Sequence, residues 1–227
     1  MLESFTMISS FVLASNSPRR RQLFQLFDLP FKVIPADVDE NLLPNEAADV
    51  YVQRLAKLKA QTSGKFAAND ELVIASDTTV AEGGRILGKP SDDAEARQML
   101  RQLRGRHHQV FTALAVYSAS DQHLETDLCI STVPMRAYDD QEIEAYIASG
   151  DPFDKAGGYA IQNEAFHPVI HFRGCYASVM GFPMCHLTRM LRKWDHQVAV
   201  DIPQACQTAL QYDCPISSRV LDGEQVG

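Results

Sequence analysis

The chain has 227 residues, of which 45% are hydrophobic, 22% charged and 8% aromatic. This composition is that of an ordinary folded domain and excludes a disordered or fibrous protein. With 21 basic and 29 acidic side chains, the formal net charge is −8. Nucleic acids and anionic membranes both bind a large basic face, so neither is an expected partner.

The cysteines indicate a reducing compartment. Five are present, none forms a CxxC pair, and the odd number leaves at least one thiol outside any intramolecular disulfide. We therefore expect reduced thiols and a cytoplasmic protein. Glu3 stands where a secretory leader carries basic residues, and no uncharged apolar run approaches the roughly 18 residues of a membrane span. Neither a leader nor a spanning helix is predicted.

Strands and helices alternate through the first half of the chain. The apolar run 11–15 predicts a strand, and Ser17 with Pro18 is typical of an N-cap and first helical turn. Hydrophobic spacing predicts the elements that follow: a strand over 31–35, a helix over 45–60, a strand over 72–76, a hairpin over 78–87 with its turn at Gly83-Gly84, and a helix from 91 or 92 to 103.

Strand candidates cluster in the second half. Two long ones, 109–117 and 128–135, precede a helix over 139–150. Two short strand candidates then follow, with a last helix behind them, at 169–172, 176–180 and 183–194. Alternation in one half and clustering in the other predict an α/β fold with a mixed, twisted sheet flanked by helices.

The last part of the chain differs in character from the rest. Residues 195–227 contain one basic and five acidic side chains, and thus carry half of the net charge. Sustained periodicity is absent from this sequence apart from a short helical pattern around 204–210. We therefore predict a domain over 1–194 and an acidic, partly ordered C-terminal extension over 195–227.

An anion site is predicted where the first strand meets the first helix. The sequence LASNSPRRR places Ser15 and three adjacent arginines at this junction. Backbone N–H groups and the positive end of the helix dipole favour phosphate there, and guanidinium groups add bidentate hydrogen bonds. Alternatively, Arg19, Arg20 and Arg21 form a solvated helix face. Three cations at the helix end that repels cations favour the anion site.

Two carboxylates are candidates for a catalytic or metal-binding role. Asp77 follows the apolar run 72–76, so it lies at the carboxyl end of a buried strand, where open α/β sheets bind ligands. Glu40 closes the acidic run DVDE. Because Mg²⁺ takes one or two carboxylates together with substrate phosphates, the pair suits a divalent cation. A turn-forming role for Asp77 and a solvated loop around Glu40 stay open as alternatives.

Lysines supply further candidate phosphate contacts, namely Lys59, Lys89 and Lys155. The sequence GGRILGK before Pro90 matches the start of a phosphate-binding loop, but proline lacks the hydroxyl that holds Mg²⁺. Its Gly-Gly pair suits a hairpin turn better. We therefore interpret this match as false and keep Lys89 as a single cation beside a helix start.

A zinc site is not predicted. His167 and His171 are four residues apart, but Pro168 between them disfavours the helix that such a ligand pair needs. No G-x-S-x-G sequence occurs either, so a nucleophilic serine cannot be nominated.

Eight short motifs follow one another between residues 11 and 194. They are LASNSPRR, DVDE, RLAKLKA, SDTTV, LGKP, GRHHQVFTA, DKAGGYAIQ and VMGFP. Together they resemble the Maf family of nucleoside triphosphate pyrophosphatases. The resemblance implies two lobes around a central cleft, as in Maf and inosine-triphosphatase-like proteins. It also implies metal-dependent hydrolysis of a nucleoside triphosphate to monophosphate and pyrophosphate, in a house-cleaning role.

The resemblance further implies a role for each matching residue. Asp77 matches the general base, and Asp77 with Glu40 would hold Mg²⁺ or Mn²⁺. Arg19, Thr78 and Gln162 occupy the positions associated with base choice and resemble the dTTP/UTP branch, whereas the 7-methyl-GTP branch tends to show Trp, Gln and Glu. The expected partner is therefore a pyrimidine nucleoside triphosphate, and a homodimer stays open. The residues expected to bind substrate are Ser15, Arg19, Arg20, Lys59, Thr78, Lys89, Lys155 and Gln162.

Three positions depart from the family pattern. Ser76 replaces a usual alanine, Arg104 replaces a usual serine, and Asn163 stands where glycine is common. A glycine at 163 would permit a positive φ near the base pocket. Asparagine is the next most tolerant residue, so we expect the turn to survive with altered specificity.

Two alternative functions are considered. The family's historical link to septum formation suggests a nucleotide-sensing regulator of cell division with little turnover. A sensor has no need of a general base, however, and Asp77 supplies one. A phosphate-loop kinase or NTPase is disfavoured by Pro90.

Overall fold

The computed structural model describes residues 8–227, so Glu3 and the start of the predicted domain lie outside the described part. The strands are β1 (Ser10–Leu13), β2 (Phe31–Val33), β3 (Glu71–Glu82), β4 (Arg85–Leu87), β5 (His107–Ser118) and β6 (Leu124–Pro134). The helices are α1 (Pro18–Gln25), α2 (Ala48–Gly64), α3 (Asp93–Leu103), α4 (Asp140–Ala148), α5 (Tyr176–Val179), α6 (Met184–Lys193), α7 (Ile202–Leu210) and α8 (Ser217–Leu221), with 3-10 turns at Asp151–Asp154 and Ala156–Gly158.

The strands form one six-stranded sheet in the order β2-β1-β3-β5-β6, with β4 paired to β3. β1 pairs parallel with β2 and β3, because α1 and α2 carry the chain back between these strands. β3, β5 and β6 pair antiparallel, and a hairpin joins β3 to β4. The predicted mixed sheet and the hairpin at Gly83-Gly84 are confirmed.

Helices cover both faces of the sheet. One face is small and apolar, and α2 packs on it through Val52, Ala56 and Ala60. The opposite face buries Phe11, Leu13 and Ile74 beneath most of the other helices. Because side chains alternate along a strand, odd-numbered residues of β3 face α2 and even-numbered ones face the larger core.

A gap in strand pairing creates a cleft at one edge of β3. On this edge β1 pairs with residues 71–74 and β4 pairs with residues 80–82. Residues 75–79 between them have no strand neighbour on that edge, while β5 pairs along the other edge from 72 to 81. The elements around β1 and those around β4 therefore form two lobes that meet at the middle of β3.

The two short strands predicted over 169–172 and 176–180 are wrong. Val169 makes a single isolated bridge with Met135, and the second segment is helix α5. His171 has a φ of 53°, which interrupts an extended chain. A run of four or five apolar residues fits a strand or a helical turn equally well, so its periodicity cannot distinguish the two.

The C-terminal segment 195–227 packs on the larger core. Its helices α7 and α8 bury Ile202 and Val220, and α7 covers the helical pattern expected around 204–210. Arg189 of α6 bonds to the segment, since its Nη1 donates to the Glu224 carbonyl at 2.7 Å. Its Nε and Nη2 donate to the carboxylate of Asp127. The division of the chain at residue 194 stays a prediction. Within residues 8–227, no helix is long and apolar enough to cross a membrane.

Candidate active site

A cavity of about 140 Å³ lies in the cleft beside β3. The N-terminal turn of α1, the middle of β3, the 3-10 turns and the loop before α6 form its wall. The cavity thus lies where the pairing gap predicts an opening. Six of the eight predicted substrate-binding residues line it: Arg19, Arg20, Thr78, Lys89, Lys155 and Gln162.

The predicted carboxylates meet on the other face of β3, at the same open edge. Lys59 Nζ lies 2.6 Å from Asp77 Oδ1 and 2.6 Å from Glu40 Oε1. Asp77 does not lie at the end of a strand or in a turn, as the sequence predicted, because β3 continues past it to Glu82. It is odd-numbered and therefore faces α2, which carries Lys59 on its buried side. The structure thus brings together the general-base candidate, the second carboxylate and one predicted phosphate contact. None of the three lines the 140 Å³ cavity, so a bound triphosphate would have to cross the edge of β3.

The two carboxylates differ in proton affinity. Burial raises the pKa of Asp77 above its ordinary value, although the charges of Lys59 and Arg20 oppose this. Burial also acts to raise the pKa of Glu40, but the Lys59 hydrogen bond and the charges of Lys59, Lys89 and Arg20 outweigh it, so the pKa falls. Asp77 is therefore the better proton acceptor, and Glu40 is the better permanent anion.

The chemistry of the donor set fits a divalent cation that also binds the substrate. Asp77 and Glu40 each direct one carboxylate oxygen at Lys59 Nζ, and each also has a second carboxylate oxygen. Over residues 8–227, however, no group of three or more His, Cys, Asp and Glu is arranged to hold a metal. A cation held by this pair would need phosphate oxygens or water to complete its coordination, as Mg²⁺ usually does.

Arg20 fills the gap in strand pairing. Its Nη1 donates to the carbonyl of Ser76 at 2.7 Å, and its Nη2 donates to Thr78 Oγ1 at 3.2 Å. Its Nε donates to the carbonyl of Gly181 at 3.0 Å. The guanidinium group thus takes the place of a neighbouring strand and joins the two lobes at the point where the cleft opens.

Gly181 permits this contact. Its φ of 100° lies in the region that favours glycine, and a Cβ there would meet Thr78 Oγ1 at 3.1 Å and Arg20 Nε at 3.3 Å. The Gly181 carbonyl also accepts a buried hydrogen bond of 2.8 Å from Ser76 Oγ. Ser76, which departs from the family pattern, therefore adds a hydrogen bond between β3 and the loop before α6.

Arg19 and Lys155 are paired with carboxylates that the sequence did not single out. Arg19 Nη1 donates to Asp154 Oδ2 at 3.1 Å. Lys155 Nζ donates to Asp154 Oδ1, to Asp151 Oδ1 and to the Asp151 carbonyl, so its three N–H groups are all in use. Asp154 is the first residue of the motif DKAGGYAIQ and Asp151 lies three residues before it. The proximity of these two carboxylates to two predicted cations has no signal in the sequence.

Gln162 lies on the cavity wall, and its side-chain amide makes no hydrogen bond to any residue of the described chain. The neighbouring Asn163 does not adopt a positive φ. Instead, its Oδ1 accepts from the N–H of Phe166 at 2.8 Å and its Nδ2 donates to Asp151 Oδ2 at 3.1 Å. Asn163 therefore stabilises the turn with its side chain and needs no left-handed backbone.

The remaining predicted residues have less direct positions. Lys89 is exposed on the cavity wall. Ser15 is buried outside the cavity wall, where its Oγ accepts from the N–H of Ser17 at 3.2 Å. Ser17 in turn caps α1. Arg104, the third departure, pairs with Asp140 on α4.

Comparison with known proteins identifies the family. The family model described as Maf-like protein matches residues 10–194. The chain belongs to the Maf family. Among relatives of this Maf-family chain, a dTTP/UTP pyrophosphatase of Chromobacterium violaceum is 44% identical over 183 residues, which cover 79% of this chain and 91% of the relative. A dTTP/UTP pyrophosphatase of Thermomicrobium roseum is 41% identical and covers 94% of this chain and 99% of the relative, so that alignment extends into the C-terminal segment.

Among solved structures, the Staphylococcus aureus Ham1 protein is similar to this Maf-family chain with a TM-score of 0.42 and 18% sequence identity. That similarity covers 88% of this chain and 97% of the Ham1 chain.

Proposed function

We propose that this Maf-family chain hydrolyses dTTP and UTP to the nucleoside monophosphate and pyrophosphate. The observation that carries the proposal is a buried carboxylate of raised pKa, Asp77, beside a group of cations at the open edge of β3. The names of relatives that are 41% and 44% identical support the pyrimidine substrates. Modified pyrimidine nucleotides fall within the same substrate class.

The cations bind the triphosphate. Lys89 lines the cavity, Arg20 spans the edge of β3, and Lys59 lies on the α2 face. Arg19 lines the same cavity as Gln162, and its position is one that the resemblance associates with base choice. A triphosphate that crosses this edge would place phosphate groups against cations on both faces. Positioning and charge neutralisation of this kind supply most of the acceleration in phosphoryl transfer.

Asp77 acts as the general base. Its carboxylate takes a proton from a water molecule while the water oxygen forms a bond to the α-phosphorus. The bond between the α-phosphorus and the oxygen that bridges to the β-phosphorus breaks, and pyrophosphate leaves with that electron pair. Lys59 keeps Asp77 in place through the 2.6 Å contact and offsets part of its charge.

Glu40 and Asp77 are the residues that would hold Mg²⁺ or Mn²⁺. When bound, such a cation would neutralise phosphate charge and favour departure of pyrophosphate. Glu40 suits this role because its lowered pKa keeps it ionised.

The nucleoside is assigned to the opposite end of the cavity. Gln162 presents a free amide, which can both donate to and accept from the edge of a pyrimidine. Val80, Val110 and Ile161 supply apolar walls of the same cavity. The base therefore lies on a surface that combines the hydrogen-bonding amide of Gln162 with apolar side chains, as small-molecule sites usually do.

A nucleotide-sensing regulator of cell division with little turnover is not favoured, since a sensor has no need of a buried carboxylate at the phosphate-binding edge. House-cleaning of the nucleotide pool in the cytoplasm is the role that the proposed activity would serve. A homodimer and the lack of a nucleic-acid partner stay predictions from the sequence.

Product analysis tests the proposal. The purified protein would be incubated with dTTP, UTP, CTP, 5-methyl-UTP, GTP, 7-methyl-GTP or ATP, each with Mg²⁺ and with Mn²⁺, and pyrophosphate separated from orthophosphate. We expect pyrophosphate with dTMP or UMP. Release of orthophosphate would contradict the reaction, and a preference for a purine nucleotide would contradict the assignment of the base.

A further inference from the structure

A second cavity continues from the cleft beyond the nucleoside end. It has a volume of about 610 Å³ and shares part of its wall with the first cavity. The shared residues are Arg19, Ile161, Gln162 and Met180. The two cavities therefore meet at these residues, and a group attached to a base beside Gln162 would lie next to the second cavity.

The C-terminal segment forms part of the wall of this second cavity. The last turn of α7 and the residues behind it, 209–212, line it together with Gln162. Tyr212 fixes that wall, because its hydroxyl accepts from the N–H of Gly174 at 3.1 Å and donates to the carbonyl of Phe172 at 3.3 Å. The family model ends at residue 194, so this wall comes from outside the matched region.

The chemistry of the lining suits an aromatic ring. Phe172, Tyr176 and Tyr212 form a cluster with ring centroids 5.2 to 6.3 Å apart. The same cavity is lined by the charged residues Arg19 and Glu164 and by polar side chains, namely Gln22, Gln162, Asn163, Gln211, His167 and His171. Aromatic surfaces beside amide and imidazole groups stack on a planar ring and form hydrogen bonds to its polar atoms.

The two histidines are held in an uncommon backbone conformation. His167 has a φ of 44° and His171 a φ of 53°, and both side chains line the second cavity. Residues other than glycine cost free energy in this region, and such residues are enriched at binding sites. Both residues line the same cavity although Pro168 between them disfavours a helix.

We propose that the second cavity is a subsite for a ring-bearing substituent on the pyrimidine base. The inference rests on the proposed function, which puts the base beside Gln162 and the phosphates at the cationic end. It names the substrate class more narrowly, as pyrimidine nucleoside triphosphates that carry an aromatic or heteroaromatic arm. The C-terminal segment then takes part in substrate selection.

The probes are UTP, UTP with a benzyl group on a short linker at C5, and UTP with an aliphatic arm of equal length at C5. We expect kcat/KM for the benzyl substrate to equal or exceed that for UTP. We also expect it to exceed that for the aliphatic substrate by at least fivefold, because only the aromatic arm stacks.

Variants on α7 show whether a change in activity comes from the second cavity or from any large substitution on this helix. Ala209 and Thr208 are both exposed in the last turns of this helix, but only Ala209 lines the second cavity. Ala209→Trp should fill the cavity and lower the ratio of benzyl-UTP to UTP kcat/KM at least tenfold. Thr208→Trp is the matched control and should leave that ratio unchanged. Tyr212→Leu should also lower the ratio, since it removes the ring and keeps an apolar side chain.

The outcomes distinguish the inference from the proposed function. If UTP is hydrolysed but the benzyl substrate is not, or if Ala209→Trp and Thr208→Trp change the ratio equally, the subsite is overturned and the proposed function stands. An equal rate for the aromatic and aliphatic arms would overturn ring recognition. If none of the three nucleotides yields pyrophosphate, the proposed function itself fails, and the subsite fails with it.

Discussion

The two ends of the cleft are built differently. At the phosphate end, the side chains of Lys59 and Asp77 are 11% and 8% exposed, and each is held by an ion pair of 2.6 Å. At the nucleoside end, Gln162 is half-buried and its amide has no partner in the described chain. The first end is fixed before substrate arrives, while the second keeps its hydrogen-bonding groups for the substrate.

The difference follows from the cost of burying charge. A buried ion is strongly destabilising unless it is paired, so the Asp77 carboxylate requires the Lys59 ammonium group. For the same reason, the Arg20 guanidinium group donates three hydrogen bonds, to Ser76, Thr78 and Gly181. A neutral amide at a cavity wall loses much less when it stays unpaired. Chemistry therefore depends on a rigid network, and selectivity depends on a group that is free to bind.

Replacing the general base should have the largest effect. Asp77→Asn keeps the size of the side chain but removes the proton acceptor, so kcat should fall by about 10²- to 10⁴-fold. Binding of a non-hydrolysable UTP analogue, measured by calorimetry, should change only a few fold. Near-normal turnover would remove Asp77 from this role.

Replacing the lysine between the carboxylates should lower activity and change its pH dependence. The Asp77 carboxylate must be ionised to accept a proton, so activity rises as pH passes upward through its raised pKa. The charge of Lys59 lowers that pKa, and Lys59→Gln should therefore move the acid limb of kcat/KM to higher pH. At neutral pH, kcat/KM should fall by about 10²-fold because one charged contact is lost. An acid limb that stays in place would show that Asp77 does not determine it.

At the nucleoside end a smaller effect is expected. Gln162→Ala removes hydrogen bonds to a neutral base, each worth about 0.5–1.5 kcal/mol, so kcat/KM for UTP should fall by about three- to tenfold. Selectivity for UTP over CTP should fall with it, as measured by competition in one reaction. A loss of activity as large as that of Asp77→Asn would mean that catalysis depends on Gln162 as strongly as on the network around Asp77.

The smallest effect should come from the tie between β3 and the loop before α6. Ser76→Ala removes the buried hydrogen bond to Gly181, but Arg20 still donates to the same carbonyl. Urea denaturation should therefore show a loss of about 0.5–1.5 kcal/mol in the free energy of unfolding. No measurable loss would show that alanine, the usual residue of the family, fits this position equally well.

Sequence patterns predicted the parts of the site that depend on local structure. The junction of β1 and α1 and the hairpin at Gly83-Gly84 have short-range signals in apolar runs, caps and turn residues. The predicted strand end at Asp77 is wrong, because β3 continues through Asp77 to Glu82 and the opening lies at its edge. The 2.6 Å contact of Lys59 with both carboxylates depends on α2 lying over the sheet, which periodicity alone does not specify. The packing of residues 195–227 against the core was likewise beyond local signals.

Hydrolysis of UTP in H₂¹⁸O tests the central claim most directly, because the label reports which phosphorus the water attacks. We expect one ¹⁸O atom in UMP and unlabelled pyrophosphate, detected by mass spectrometry of both products. Label in pyrophosphate, or release of labelled orthophosphate, would contradict attack at the α-phosphorus.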